Sequence, residues 1–379
     1  MKLPIYLDYN ATTPVAPEVA DAMLPFLRGQ FGNPSSSHRY GRQAHEAVDH
    51  ARSRVAALIG ADPSEVLFTG CATEANNLAI LGVARALRDK RRHIITSTIE
   101  HPAAMQPCLR LREEGWKVSI VPVDGAARVD LDAVARALDG ETALVSIMHA
   151  NNEVGTLQNV AAIAEMAHAH GALMHTDAAQ SVGKIPVDVD ALGVDLLTIA
   201  GHKFYATKGV GALYVRRGTP VTPVIVGAEH EQGLRPGTEN VPAIVGLGKA
   251  AQLARESGPV QQTHLRKMRD LLHRLLAESV PGLTLNGHAE YRLPNTLNVS
   301  FPAVSGRKLL HAVEADVAAS VGSACHDGSD TVSGVLAAIG LTMERALGAV
   351  RLSVGMPTTE DEVRHAASAL ASAVRRTET

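Results

Sequence analysis

Two hydrophobic rhythms alternate along the first two thirds of the chain. In residues 41–59, Ala44, Ala47, Val48, Ala51, Val55 and Leu58 recur at three- and four-residue steps, one face of a helix, and Gly60 follows as a stop. After it come short β-branched runs at 93–98, 118–123, 143–149, 172–176 and 195–199, separated by helical stretches. Such alternation predicts a mainly parallel sheet covered by helices. Residues 209–215, after the Lys208-Gly209 turn, read as a returning strand compatible with an antiparallel run. A helix ends around 251–258 and the pattern changes. A long helix is predicted over 260–279, strands at 296–301, 317–321 and 350–354, and a last helix opening on Thr359-x-x-Glu362, a capping box. This is an α+β appendix with which the N-terminal dozen residues can pack.

Composition narrows the classes. The 379 residues, 46% hydrophobic, suffice for a large domain with a smaller companion. Lys plus Arg (36) nearly balances Asp plus Glu (39), so no basic field exists to hold a nucleic acid, and none is expected as a direct partner. The run Arg85, Arg88, Lys90, Arg91, Arg92 reads as a solvated helix end. Asp8 and Asn10 interrupt the only apolar run near the start, and no stretch reaches the length of a membrane span, so a cytoplasmic protein without membrane contact is expected. Cys71, Cys108 and Cys325 are far apart and form no Cys-x-x-Cys pair. Neither a disulfide framework nor a zinc cluster is expected, which leaves room for one reactive thiol.

Ligands of open parallel sheets bind beyond the carboxyl ends of the strands. Residues of chemical interest fall there: His101 after 93–98, Asn152 after 143–149, Asp177 and Gln180 after 172–176, His202 and Lys203 after 195–199. Each alone has an ordinary explanation as a turn, cap or polar loop residue; their concurrence is the signal. An amine and a carboxylate, each at the exit of a strand, are what a protein needs to hold pyridoxal phosphate. The lysine supplies the Schiff-base nitrogen, and the acid keeps the pyridine nitrogen protonated so that the ring withdraws electrons from a substrate carbanion. The segment Thr69-Gly70-Cys71-Ala72-Thr73-Glu74-Ala75-Asn76-Asn77 lies between a strand-like run and an Ala/Leu-rich helix. Small residues at a helix start suit a phosphate, and Thr and Asn suit ordinary capping equally. Neither a Walker lysine motif nor G-x-G-x-x-G occurs here, which weakens nucleoside triphosphate and dinucleotide readings.

Taken in order, several motifs resemble the cysteine desulfurases of the class V aminotransferase family. They are Tyr6-Leu7-Asp8-Tyr9-Asn10-Ala11-Thr12-Thr13, Asn33-Pro34-Ser35-Ser36-Ser37-His38, Thr73-Glu74-Ala75-Asn76-Asn77, Glu100-His101, Asn151-Asn152-Glu153-x-Gly155, the Asp177 and Lys203 motifs, Arg235-x-Gly237-Thr238 and Ser323-Ala324-Cys325. The resemblance implies an α/β fold of the fold-type I pyridoxal-phosphate class, with a mainly parallel seven-stranded sheet between two helical layers. Residues 15–258 would form the large cofactor-binding domain; residues 1–14 and 259–379 would form a smaller α+β domain carrying the Cys325 loop.

The resemblance also assigns roles. Lys203 would bond the cofactor and shuttle protons, Asp177 would pair with the pyridinium, and His101 would stack on the ring. Gln180 and Asn152 would bond the phenolic oxygen or the substrate. Thr73 and His202 would hold the phosphate, joined by Thr238 from a neighbouring subunit, so a homodimer is implied. Arg351 would grip the carboxylate of L-cysteine, and Cys325 would take its sulfur as a persulfide for an acceptor protein in iron–sulfur cluster assembly, DNA phosphorothioation or thio-cofactor synthesis. His326 would favour the Cys325 thiolate if protonated, while Asp327 and Asp330 would oppose it. Two departures stand beside the phosphate: Ala200 where a serine is common, and Gly70-Cys71 in place of Ser-Gly. Selenocysteine lyase and cysteine C–S lyase are the alternatives on the same fold, and a non-catalytic interaction subunit is a third class.

Overall fold

The computed structural model describes residues 3–321 and 332–377. A short strand, β1 (Ile5–Tyr6), precedes the main sheet, which is built from β2 (Val66–Thr69), β3 (His93–Ser97), β4 (Lys117–Val121), β5 (Thr142–Ser146), β6 (Leu173–Asp177), β7 (Leu196–Ala200) and β8 (Gly211–Val215). Their spatial order is β2-β8-β7-β6-β5-β3-β4. β7, β6, β5, β3 and β4 pair in parallel, whereas β8 runs antiparallel to both β7 and β2. The returning strand is therefore the one that reverses direction.

Alternating side chains divide the sheet between two cores. Val66, Phe68, Ile95, Val145, Met174, Leu197, Ala212 and Tyr214 point to one face, where the helices Arg39–Ile59 and Val160–Ala169 and the first turns of Val241–Ser279 cover them. Leu67, Ile94, Leu144, Leu196 and Leu213 point to the other, under the helices Ala72–Leu87 and Pro102–Glu113. Burial on both faces explains why these runs are continuous rather than alternating in hydrophobicity. β4 is an edge strand, and its exposed Lys117 blunts that edge.

The 143–149 run ends as a ladder strand at Ser146, because the Met148 amide donates to the Glu100 carboxylate (3.0 Å to Oε2) while His149 N donates to Asp177 O (2.9 Å). The exits of β3, β5 and β6 are thereby laced together. The basic stretch after residue 84 is more than a solvated helix end: Arg91 Nη1 donates to Thr142 O (2.8 Å) and His170 O (3.0 Å), tying loops at the opposite end of the sheet.

The second core belongs to β9 (Thr284–Leu285), β10 (Thr296–Ser300), β11 (Val317–Ala318) and β12 (Ala349–Ser353) with the helix Glu360–Thr377. β10 lies between β12 and β9, antiparallel to both. β1 pairs in parallel with β11, Leu7 is fully buried in this core, and Asp8 bridges to Ser353, so the N-terminal segment does pack with the later part of the chain.

One sequence expectation fails. No helix ends at 251–258; a single helix runs from Val241 to Ser279 through Pro259. An interior proline costs about 3 kcal/mol, whereas each fully buried leucine contributes about 1.5–3 kcal/mol. This helix buries Leu247 in the first core and Leu265, Leu271, Leu272 and Leu276 in the second, and Gln261 Nε2 donates to Gly183 O (3.1 Å) close to the proline. The apolar anchors on both sides outweigh the break.

The predicted capping box is formed: Glu362 N donates to Thr359 Oγ1 (3.2 Å) and Thr359 N to Glu362 Oε2 (2.8 Å). Thr359→Ala is expected to lower the unfolding free energy by about 1 kcal/mol, read as an earlier midpoint in urea with an unchanged slope.

Candidate active site

The carboxyl ends of β3, β5, β6 and β7 open into one cavity of about 550 Å³. Eight of the residues singled out from the sequence line it: Thr73, His101, Asn152, Asp177, Gln180, His202, Lys203 and Arg351. Thr238 does not; it sits exposed in the loop before the helix Val241–Ser279. Cys325, with His326, Asp327 and Asp330, lies outside the described residues, but Ser320 and Val335 on either side of that segment both line the cavity.

Lys203 follows β7 in a single turn of helix, and its Nζ donates to the carbonyls of Asn10 (2.6 Å) and Ala11 (2.8 Å). Burial, reinforced by the positive charge of Arg351, lowers its pKa to about 8; Asp8 and Asp177 oppose the shift. Asp177 ends β6, 7% exposed, with Oδ2 accepting from Asn76 Nδ2 (2.7 Å) and Oδ1 from Ala179 N (2.9 Å). Those donors hold the carboxylate in one orientation.

His101 caps the helix Pro102–Glu113, its Nδ1 accepting from Ala103 N (3.1 Å). The acceptor role leaves Nε2 to carry the proton of the neutral ring. Although open to the cavity, the ring is walled by protein; that burial and Lys203 lower its pKa against the pull of Asp177. His202 is pushed down to about 4, chiefly by burial and then by Lys203, Lys208 and Lys184, and is neutral near pH 7. Behind His101, burial raises Glu100 to about 8, although Ser97 and the Met148 amide both donate to it.

At the other end of the cavity, Arg351 on β12 is 4% exposed. Its Nη2 meets Asp8 Oδ1 at 2.7 Å and its Nη1 donates to Asn152 O (3.0 Å). Asp8, on the N-terminal segment, thus supplies a carboxylate to the guanidinium from within the chain.

The first turn of the helix Ala72–Leu87 also lines the cavity, and its amides have no intrahelical acceptor and favour an anion. β8 packs tightly on that start: a Cβ on Gly211 would lie 2.9 Å from Cys71 C and 3.1 Å from Ala72 N. Only glycine permits this approach. Of the other thiols, Cys71 is exposed beside the helix start, and Cys108 is buried, which raises its pKa to about 12.

Sequence reasoning gave no task to Asp8, Asn10, Asn76, Glu100 or Lys184. Asn76 had a signal: it is a polar residue on the apolar face of an Ala/Leu-rich helix, fully buried. Asp8 and Asn10 interrupt an apolar run for the same reason.

Residues 5–365 match the family model for aminotransferase class-V. This chain belongs to that family. Across 380 residues the chain, which is class V, is 45% identical to cysteine desulfurase IscS of Dictyoglomus turgidum, an alignment covering 100% of this chain and 96% of that one. Among solved structures, a NifS-like protein superimposes with a TM-score of 0.92 at 38% identity, over 98% of this chain and 99% of the other. SspA, solved in complex with cysteine, gives a TM-score of 0.81 at 36% identity, over 92% of this chain and 98% of its own. Class V desulfurases depend on pyridoxal phosphate, and their fold-type I architecture, with its mainly parallel seven-stranded sheet, is the one described above.

In the ligand-free protein, labelling of Lys203 by an amine-directed reagent should rise with a midpoint near pH 8, where a free lysine titrates near 10.4. Arg351→Met should move that midpoint upward, since it removes a positive charge and leaves Asp8 unpaired. Peptide mapping across a pH series checks both statements.

Proposed function

We propose that this chain is a pyridoxal-phosphate-dependent cysteine desulfurase that converts L-cysteine to L-alanine and holds the sulfur on Cys325 for an acceptor protein. One observation carries the reading: the Lys203 amine and the Asp177 carboxylate face a single cavity that an anion-seeking helix start and Arg351 also line. The residues fit the cofactor. Lys203 offers a partly neutral amine, Asn76 orients Asp177 for a pyridinium nitrogen, and the start of the helix Ala72–Leu87, packed closely on Gly211, presents free amides to a phosphate. Ala200 lines the cavity without a hydroxyl, so anchoring falls to Thr73, His202 and the helix amides at a cost of about 1 kcal/mol.

Bound there, the cofactor supplies an electron-withdrawing ring conjugated to the substrate nitrogen. Arg351 orients the substrate through its α-carboxylate, in a two-bond grip that replaces or shares the contact with Asp8. Lys203, held near neutrality by its surroundings, takes the proton from the substrate Cα. His101, with its Nε2 proton turned to the site, donates where negative charge develops. The Cys325 thiolate attacks the substrate sulfur: an S–S bond forms, the C–S bond breaks, and the bonding pair stays with the carbon that becomes the alanine methyl. Cysteine and a thiol thus become alanine and a persulfide, with atoms and electrons balanced.

The two cores support taking residues 15–258 as the cofactor-binding unit and residues 1–14 with 259–379 as the unit bearing Cys325. Phe31 and Tyr40 stack on each other while 74% and 54% exposed, which, with the exposed Thr238, supports a homodimer. No helix of the described residues is long and apolar enough to cross a membrane, consistent with the cytoplasmic placement proposed.

Incubation with L-cysteine and a reductant should yield equal amounts of alanine and sulfide. Lys203→Ala should lower turnover by about 10²-fold or more, and Cys325→Ala should abolish sulfide while leaving cofactor binding intact. Absence of both products from the cofactor-loaded wild type would reject the reading.

A further inference from the structure

One buried ionisable side chain without an assigned task stands directly behind the cavity wall. Lys184 is 5% exposed, and its Nζ donates to Gln180 Oε1 (2.8 Å) and Asn10 Oδ1 (3.1 Å). Both acceptors are neutral. Burial lowers its pKa well below that of a free lysine, and the charged groups that act on it, Lys203 from the turn after β7 and Arg351 from β12, are cationic and push the same way. The amine acts as donor in both contacts.

Gln180 lines the cavity, with Nε2 donating to Asn10 O (3.0 Å), the same carbonyl that accepts from Lys203. An amide oxygen and NH2 have nearly the same shape, so packing alone does not decide which faces the cavity. Lys184 decides it. Turning the amide over would set NH2 against the donors of Lys184 and oxygen against the carbonyl of Asn10, two mismatches at about 1–3 kcal/mol each.

We propose that Lys184 is a positioning residue: by holding Gln180 Oε1 it fixes Gln180 as a hydrogen-bond donor towards the cavity, so that the site favours a negatively charged ring oxygen on the bound cofactor. The inference rests on the cofactor assignment above. Lys184 itself touches neither cofactor nor substrate, since it stands outside the cavity lining.

The test compares Lys184→Met, Lys184→Gln, Gln180→Ala and the double variant Gln180→Ala/Lys184→Met as full chains loaded with pyridoxal phosphate, by pH titration of the visible absorbance. Without the fixed donor the ring oxygen holds a shared proton more tightly, so Lys184→Met should raise the midpoint by about one pH unit. Lys184→Gln, an uncharged donor, should restore the wild-type midpoint, and Lys184→Met should add nothing in the Gln180→Ala background. An unmoved midpoint in Lys184→Met, an equal shift in Lys184→Gln (which would mean that charge is what counts), or additive shifts in the double variant would each overturn the proposal. If Lys184→Met fails to fold, Lys184→Gln still decides between donation and charge. A second measurement needs no cofactor: in ligand-free protein labelled with ¹⁵N-glutamine, the Gln180 side-chain amide should exchange slowly in wild type and Lys184→Gln and quickly in Lys184→Met. Borohydride reduction that labels no Lys203 in the wild type would sink the cofactor assignment, while the amide exchange would still judge Lys184.

Discussion

Asn10 is the joint on which both halves of the molecule close. Its amide donates to Ser353 Oγ, its carbonyl accepts from Lys203 and Gln180, its side-chain oxygen accepts from Lys184 and Asn295, and its side-chain nitrogen donates to Asn152 O and Thr296 Oγ1. Every donor and acceptor this residue possesses is engaged. Because the residue is 1% exposed, each of those bonds is shielded from water, and losing one leaves a buried polar group unmatched. The partners come from the turns after β6 and β7, the loop after β5 and the strands β10 and β12, so one side chain near the start of the chain fixes the spacing between the cavity's two ends.

Within that frame charges of both signs crowd together. Lys184, Lys203 and Arg351 lie close enough to influence one another, with Asp8 and Asp177 as the carboxylates acting on Lys203. Burial is the larger cause of the depressed lysine pKa values, and the neighbouring cations add to it because low-dielectric walls do not screen them away. Among carboxylates at Asp8 and Asp177, the places in the cavity that favour an anion are therefore local: the Lys203 amine, the Arg351 guanidinium and the helix start at Ala72 with its dipole.

The sheet was legible because its strands are buried on both faces, which leaves continuous β-branched runs that period and turn residues bracket. The site was legible for a related reason: a parallel sheet gathers the residues after its strands at one end, so His101, Asn152, Asp177 and Lys203 could be assembled from position alone. What escaped was long-range. The continuity of the helix Val241–Ser279 through Pro259 depends on two cores that no local window contains. Asp8 meeting Arg351, Asn76 meeting Asp177 and Lys184 meeting Gln180 involve residues whose meaning comes only from the partner. The lysine is the hardest of these, since a lone Lys after a Gly reads as solvent-facing until the fold encloses it.

The contact between Arg351 and Asp8 has a bearing on selectivity. A guanidinium whose Nη2 is already held by a resident carboxylate offers little to a molecule that lacks one, because opening the latch would forfeit a short charged contact and return nothing. An incoming amino acid repays the exchange with its own carboxylate; a simple aminothiol has no such currency. In the proposed site, where Arg351 receives the substrate carboxylate, the chain would thereby screen visitors by competition with itself, before any chemistry begins.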